Sequence, residues 1–134
     1  MADVISTFEL KSRVALILEQ FKNVTDMTLR EATDATTKEI VEDLRNTSPR
    51  SPGGGDYAKS WTRTSGREKK REAGYGRIVY VRAPHYRLTH LLEYGHELPQ
   101  GGRAKAIPHI AAAEERGIDA FERRLVEGIT NADF

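Results

Sequence analysis

Between Ser6 and Arg45 the chain carries neither proline nor glycine, the two residues that most readily interrupt a helix. Leu10, Val14, Ile17, Phe21 and Val24 recur through this run at steps of four and three, the spacing of one helix face. After Thr28 the stripe weakens through Ala32 and Ala35, then returns at Ile40, Val41 and Leu44. Two arrangements stay open: one long helix, or two helices joined softly between Asn23 and Thr28. A continuous helix would run about 60 Å at roughly 1.5 Å per residue, longer than a domain of this size is wide. Part of it should project and need company.

The remaining sequence has to supply a core on limited means. A chain of 134 residues suits one domain. With 38% hydrophobic and 31% charged residues, and a mean hydropathy of -0.59, a thin core is expected, one that a partner surface would help. The expected class is α+β: a helical arm over 1–46, a flexible loop over 47–56, a basic β-hairpin with a short helix and loop over 57–109, and a C-terminal helix over 110–131. The loop reads TSPRSPGGG, where two prolines and Gly53, Gly54 and Gly55 stop the helix. Tyr57 to Thr64 and Gly76 to Ala83 have strand composition, with a polar turn between them. Pro84 ends the second strand. A short helix through Tyr86, His90, Leu91 and Tyr94 follows, capped by Gly95, and Ala104 to Ile107 suits a brief strand. Pro108 suits the first turn of the last helix, whose buried side should comprise Ile110, Ala113, Ile118, Phe121, Leu125 and Ile129.

Most chemistry fails on spacing. Cysteine is absent, which closes disulfides, thiolate metal sites and thiol nucleophiles. His85, His90, His96 and His109 fall close together, but His85 and His90 are five apart and off a shared helix face. His90 and Glu93 do share a face, yet two residues make a weak site, so no metal or cofactor is expected. The glycine clusters lack both the P-loop and the dinucleotide-binding context, and no nucleophile elbow occurs. No catalytic residue is expected. No apolar run reaches the roughly 20 residues of a membrane span, and Asp3 and Glu9 sit where a signal peptide would be basic and then apolar.

Charge is segregated along the chain. Residues 1–46 hold six Lys/Arg and nine Asp/Glu, residues 47–109 twelve and five, and residues 110–134 three and six, giving -3, +7 and -3. Arg67, Lys69, Lys70 and Arg71, flanked by Arg63 and Arg77, form a basic cluster suited to DNA phosphate or to an acidic partner. A small nucleic-acid-binding module using residues 63–77 is therefore one reading of the chain.

The block Tyr86 to Glu115, YRLTHLLEYGHELPQGGRAKAIPHIAAAEE, carries a second reading. Leu91-Leu92-Glu93-Tyr94-Gly95-His96, Gly101-Gly102-Arg103 and Ile107-Pro108-His109-Ile110 follow one another as a short helix, a glycine loop and a helix start. This order resembles the head–tail connector family of tailed bacteriophages, which includes neck, tail-completion and minor tail components. Upstream, Thr47-Ser48-Pro49 through Gly55 and the Ser60-Trp61 step are similar in type and order, although relatives more often carry a single glycine in that loop. The resemblance implies Trp61, Tyr86, His90, Leu91, Glu93, Tyr94, Gly95, His96 and Pro108 as motif positions. It also implies a non-enzymatic α+β subunit forming a ring with itself, expected as a hexamer, between head-connector and tail proteins. Such a subunit would assemble in the host cytoplasm and end in the virion, with non-specific DNA contact allowed and no membrane.

Overall fold

The computed structural model describes residues 7–50, 54–68 and 75–132. Its first element, α1, runs unbroken over Thr7–Thr47, which decides for one helix over two. The threonines of its middle are accommodated because their hydroxyls bond back one turn: Thr25 to the Phe21 carbonyl and Thr37 to the Thr33 carbonyl. The helix stops where Ser48 donates to the Leu44 carbonyl ahead of Pro49.

A short helix α2 (Asp56–Lys59) follows, then β1 (Trp61–Arg63), β2 (Arg67–Glu68), β3 (Tyr75–Gly76) and β4 (Val79–Val81). The expected strand over Tyr57 to Thr64 is thus shorter, beginning at Trp61. Tyr57 and Ala58 are both buried, and a strand would send neighbours to opposite faces; one helical turn lets both face the core. Strands β1 and β4 pair antiparallel with Trp61 opposite Val81, and β2 pairs with β3 with Glu68 opposite Tyr75. The second expected strand, Gly76 to Ala83, is broken at Arg77 and Ile78, where the Thr64 hydroxyl accepts the Ile78 N–H in place of a ladder partner. Val79 and Val81 face inward and Tyr80 outward, as the alternation requires.

A 3-10 turn (His85–Arg87) leads into α3 (Leu88–Tyr94), and β5 (His96–Glu97) pairs antiparallel with β6 (Arg103–Ala104). Gly101 and Gly102 make the turn between them at φ 94° and 85°. Helix α4 (His109–Thr130) then packs back along the second half of α1. Small residues set that contact: a Cβ on Gly117 would lie 2.6 Å from Ile40 Cδ1, and one on Gly128 would collide with Thr28. Ala113 and Gly117, one turn apart, face α1 and are buried. This register turns Ile118 away to 51% exposure, correcting its expected place on the buried side; Ile110, Phe121, Leu125 and Ile129 are half-buried.

The core sits where α1, β1, β4 and α4 meet, from Val41, Leu44, Tyr57, Trp61, Val81 and Ala113. Ion pairs hold α4 to α1 along its rim. Arg116 grips Asp43 through two bonds of 2.7 and 2.9 Å, and Arg124 reaches both Glu39 and the Thr36 hydroxyl.

Candidate assembly interface

The motif at the end of α3 divides between inward and outward residues. Glu93 is buried, and its carboxylate accepts the N–H groups of Ile110 and Ala111 at 2.9 Å each, capping the first turn of α4. His109 stands beside it, its Nδ1 2.7 Å from the Ile107 carbonyl and 3.2 Å from Glu93 Oε2. Both neighbours are acceptors, so Nδ1 carries a proton. Nε2 lies 2.8 Å from the Tyr57 hydroxyl, and burial pushes that phenol above its ordinary value. The Tyr57, Trp61 and His109 rings meet edge to face. The indole N–H of Trp61 donates to Ser48 Oγ at 2.8 Å, and the Trp61 carbonyl accepts from Arg45. These bonds tie the ends of α1, α2 and α3 and the start of α4 into one polar seam within the core.

Gly95 belongs to the same seam. It adopts φ 74°, and a Cβ there would fall 2.5 Å from the Ala104 carbonyl oxygen, so glycine is required for the chain to turn under β6. By contrast Tyr86, Leu88, Leu91 and Tyr94 are exposed, as is Ile107 ahead of α4. His90 is exposed and packs edge to face on Tyr94 at 5.4 Å. Pro108 is exposed where it starts α4, and His96 lies in β5, its Nδ1 buried without a hydrogen-bond partner. Glu93 is therefore engaged by His109 and α4, away from the helix-face pairing with His90 that the sequence suggested. Among the described residues no three metal-ligating side chains converge.

The expected basic cluster is split. Arg63 donates to the Asp34 carbonyl and the Thr37 hydroxyl on α1, and Arg77 donates to the Asp34 carboxylate at 2.6 Å. The Tyr75 hydroxyl donates to the same carboxylate, and together these donors hold Asp34 below the usual carboxylate range. Arg30 lies over the Tyr75 ring. Asp34 thus anchors the hairpin to α1, and Arg63 and Arg77 are spent on that anchor. Arg67 is exposed in β2, while Lys69, Lys70 and Arg71 lie outside the described residues, as does Gly53. Gly54 and Gly55 lead into α2, with Gly55 near the Arg50 guanidinium.

The largest uncovered feature is the first half of α1. Positions 9–23 are all exposed, with Leu10 at 53%, Ile17 at 59% and Phe21 at 49%. A contiguous apolar face left in water marks an interaction surface. Among the described residues no helix is long and apolar enough to cross a membrane.

Sequence reasoning missed Asp34 and the Tyr57–His109 pair. Tyr57 and His109 are 52 positions apart, and no local pattern joins them.

No curated protein and no solved structure matches the chain. Residues 13–95, more than half of its length, match the HK97-gp10-like family, described as "Bacteriophage HK97-gp10, putative tail-component". The match takes in most of α1, the hairpin and α3 as far as Gly95, stopping before the glycine loop and α4. The chain belongs to this HK97-gp10-like family of bacteriophage tail components.

Proposed function

We propose that this phage tail component acts by shape alone, as a ring-forming subunit that joins the capsid connector to the tail. The observation that carries the reading is the arm: a helix whose first half exposes an apolar face is an incomplete structure by itself. A head-to-tail contact that returns to its start makes a closed ring, and the resemblance of the motif block favours six copies. The outward residues Tyr86, Leu91 and Tyr94 are then available to a second partner, a head-connector or tail protein. The subunit would assemble in the host cytoplasm and remain in the virion.

A non-catalytic role is supported by how the buried polar groups are used. Glu93 and His109 hold each other, Tyr57 and the start of α4, which spends their hydrogen-bonding capacity on the fold. The test is native mass spectrometry at rising concentration, alone and with the phage tail proteins, paired with detection of the chain in purified virions. A closed oligomer and incorporation are expected. A strictly monomeric chain absent from virions would overturn the proposal.

A further inference from the structure

A second apolar surface, a groove, lies elsewhere on the same chain. Between α1, β1, β4 and α4 lies a groove of about 210 Å³ whose half-buried sides are Ile40, Val79 and Ile110, with the core residues Leu44, Trp61 and Ala113 behind them and Glu114 at its edge. It is smaller than the roughly 300–1,000 Å³ of small-molecule pockets and almost wholly apolar in its lining, which suits apolar side chains from another helix. Ile40 and Leu44 stand one turn apart on α1, and Ile110, Ala113 and Glu114 lie along one side of α4, so ridges of an incoming helix can seat between them.

Charge matches as well as shape. With successive residues turned by about 100° around a helix, Lys11 and Lys22 border the Leu10, Val14, Ile17 and Phe21 stripe on one edge and Arg13 borders it on the other. Glu19 and Asp26 fall on the opposite face. Glu9 falls beside Arg13 on that second edge, so the cationic edge is the one that carries Lys11 and Lys22. Glu114, at the edge of the groove, is exposed and has no ion-pair partner among the described residues.

The arm cannot reach its own groove. Ile17 and Ile40 lie on one unbroken helix, roughly 35 Å apart along its axis, so the occupant has to come from a second copy. We infer that the arm of one subunit, through Leu10, Val14, Ile17 and Phe21, docks in the Trp61-floored groove of the next, with Lys11 or Lys22 meeting Glu114. The contact is head-to-tail, so each subunit gives one arm and receives one. This inference rests on the ring reading and names the surfaces that would build it.

The absence of native cysteine makes the test direct. Full-length chains carrying Ile17→Cys with Ile110→Cys are treated with a short bis-maleimide and run under denaturing conditions, beside each single variant. A second pair, Val14→Cys with Val79→Cys, covers the case in which the first does not fold, with circular dichroism as the check. The expected result is a ladder of dimers, trimers and larger species in the double variants and monomers in the single ones. Dimers from Ile17→Cys alone would mean that arm packs on arm and would overturn the inference. Oligomers by native mass spectrometry without any ladder from either folded pair would overturn it too, while leaving the ring standing; monomers in both measurements would remove both. Glu114→Lys should raise the concentration needed for assembly about tenfold or more, and Glu114→Lys with Lys11→Glu and Lys22→Glu should recover it. Assembly indifferent to both changes would remove the charge pairing from the contact.

Discussion

At the scale of single residues, a buried carboxylate and two partly exposed ones bear on stability in different ways. Glu93 holds two helix-terminal N–H groups and faces His109. Glu93→Gln keeps one acceptor oxygen but turns an amide N–H₂ toward a backbone donor, leaving a buried N–H unpaired. It should cost about 1–3 kcal/mol, measurable by urea unfolding with Trp61 emission as the probe, since Trp61 is the chain's one tryptophan. Asp34 and Glu39 act through charge. Tyr75 and Arg77 lower the first and Arg124 lowers the second, so both folded values lie below the ordinary 3.8 and 4.5. A depressed carboxylate stabilises the fold at pH above its unfolded value, and that contribution is lost as pH falls through the folded one. Unfolding midpoints should therefore be flat near neutrality and fall once pH drops below about 4.5. Asp34→Asn should lower the neutral midpoint and flatten the acid limb; an unchanged limb would show that the hairpin anchor is not electrostatic.

At the scale of elements, the contact between α1 and α4 depends on what is missing from side chains. Gly117 costs helix propensity of about 1 kcal/mol relative to alanine, yet a Cβ there would press on Ile40 Cδ1 and Cγ1 at 2.6 and 2.8 Å. Overpacking of this kind costs roughly 1–3 kcal/mol, so Gly117→Ala should be net destabilising. Ile40→Val removes the nearer methyl, and combining the two should recover part of the loss, a coupling that a double-mutant cycle by chemical denaturation would read directly. The same small residues explain what could be read from the chain. The α+β order, the proline- and glycine-free helical run and the Gly95 cap followed from local pattern, while the choice between one helix and two stayed open. The weakening of the stripe at Ala32 and Ala35 left a joint between Asn23 and Thr28 open because alanine carries little apolar bulk, yet Ala32 is buried and the helix is continuous. Ile118 failed for the reverse reason, since bulk suggested burial while Gly117 one step away took the contact. The Tyr57–His109 seam and the Asp34 anchor were illegible because each joins residues tens of positions apart, and only the folded chain brings them together.

At the scale of the whole molecule, stability rests on the second half of α1 and the proposed assembly surface on the first. The core uses residues from Ala32 onward, while positions 9–23 are all exposed. Removing apolar surface from the arm should therefore leave the folded subunit almost unchanged, because Val14 and Ile17 stay 46% and 59% exposed in it and lie outside its core. Val14→Gln with Ile17→Gln should shift the urea midpoint by no more than about 0.5 kcal/mol in free energy, the range of ordinary surface changes. Assembly should respond differently, since burying each such side chain contributes about 1.5–3 kcal/mol and two lost together correspond to at least a hundredfold weaker association. The prediction is a well-folded monomer by sedimentation under conditions where the parent chain is oligomeric, and a loss of the chain from virions when it is the only copy supplied. If the glutamine variant instead unfolded early, the arm would be part of the subunit's own fold. If it assembled normally, the apolar stripe would not be the surface through which copies meet.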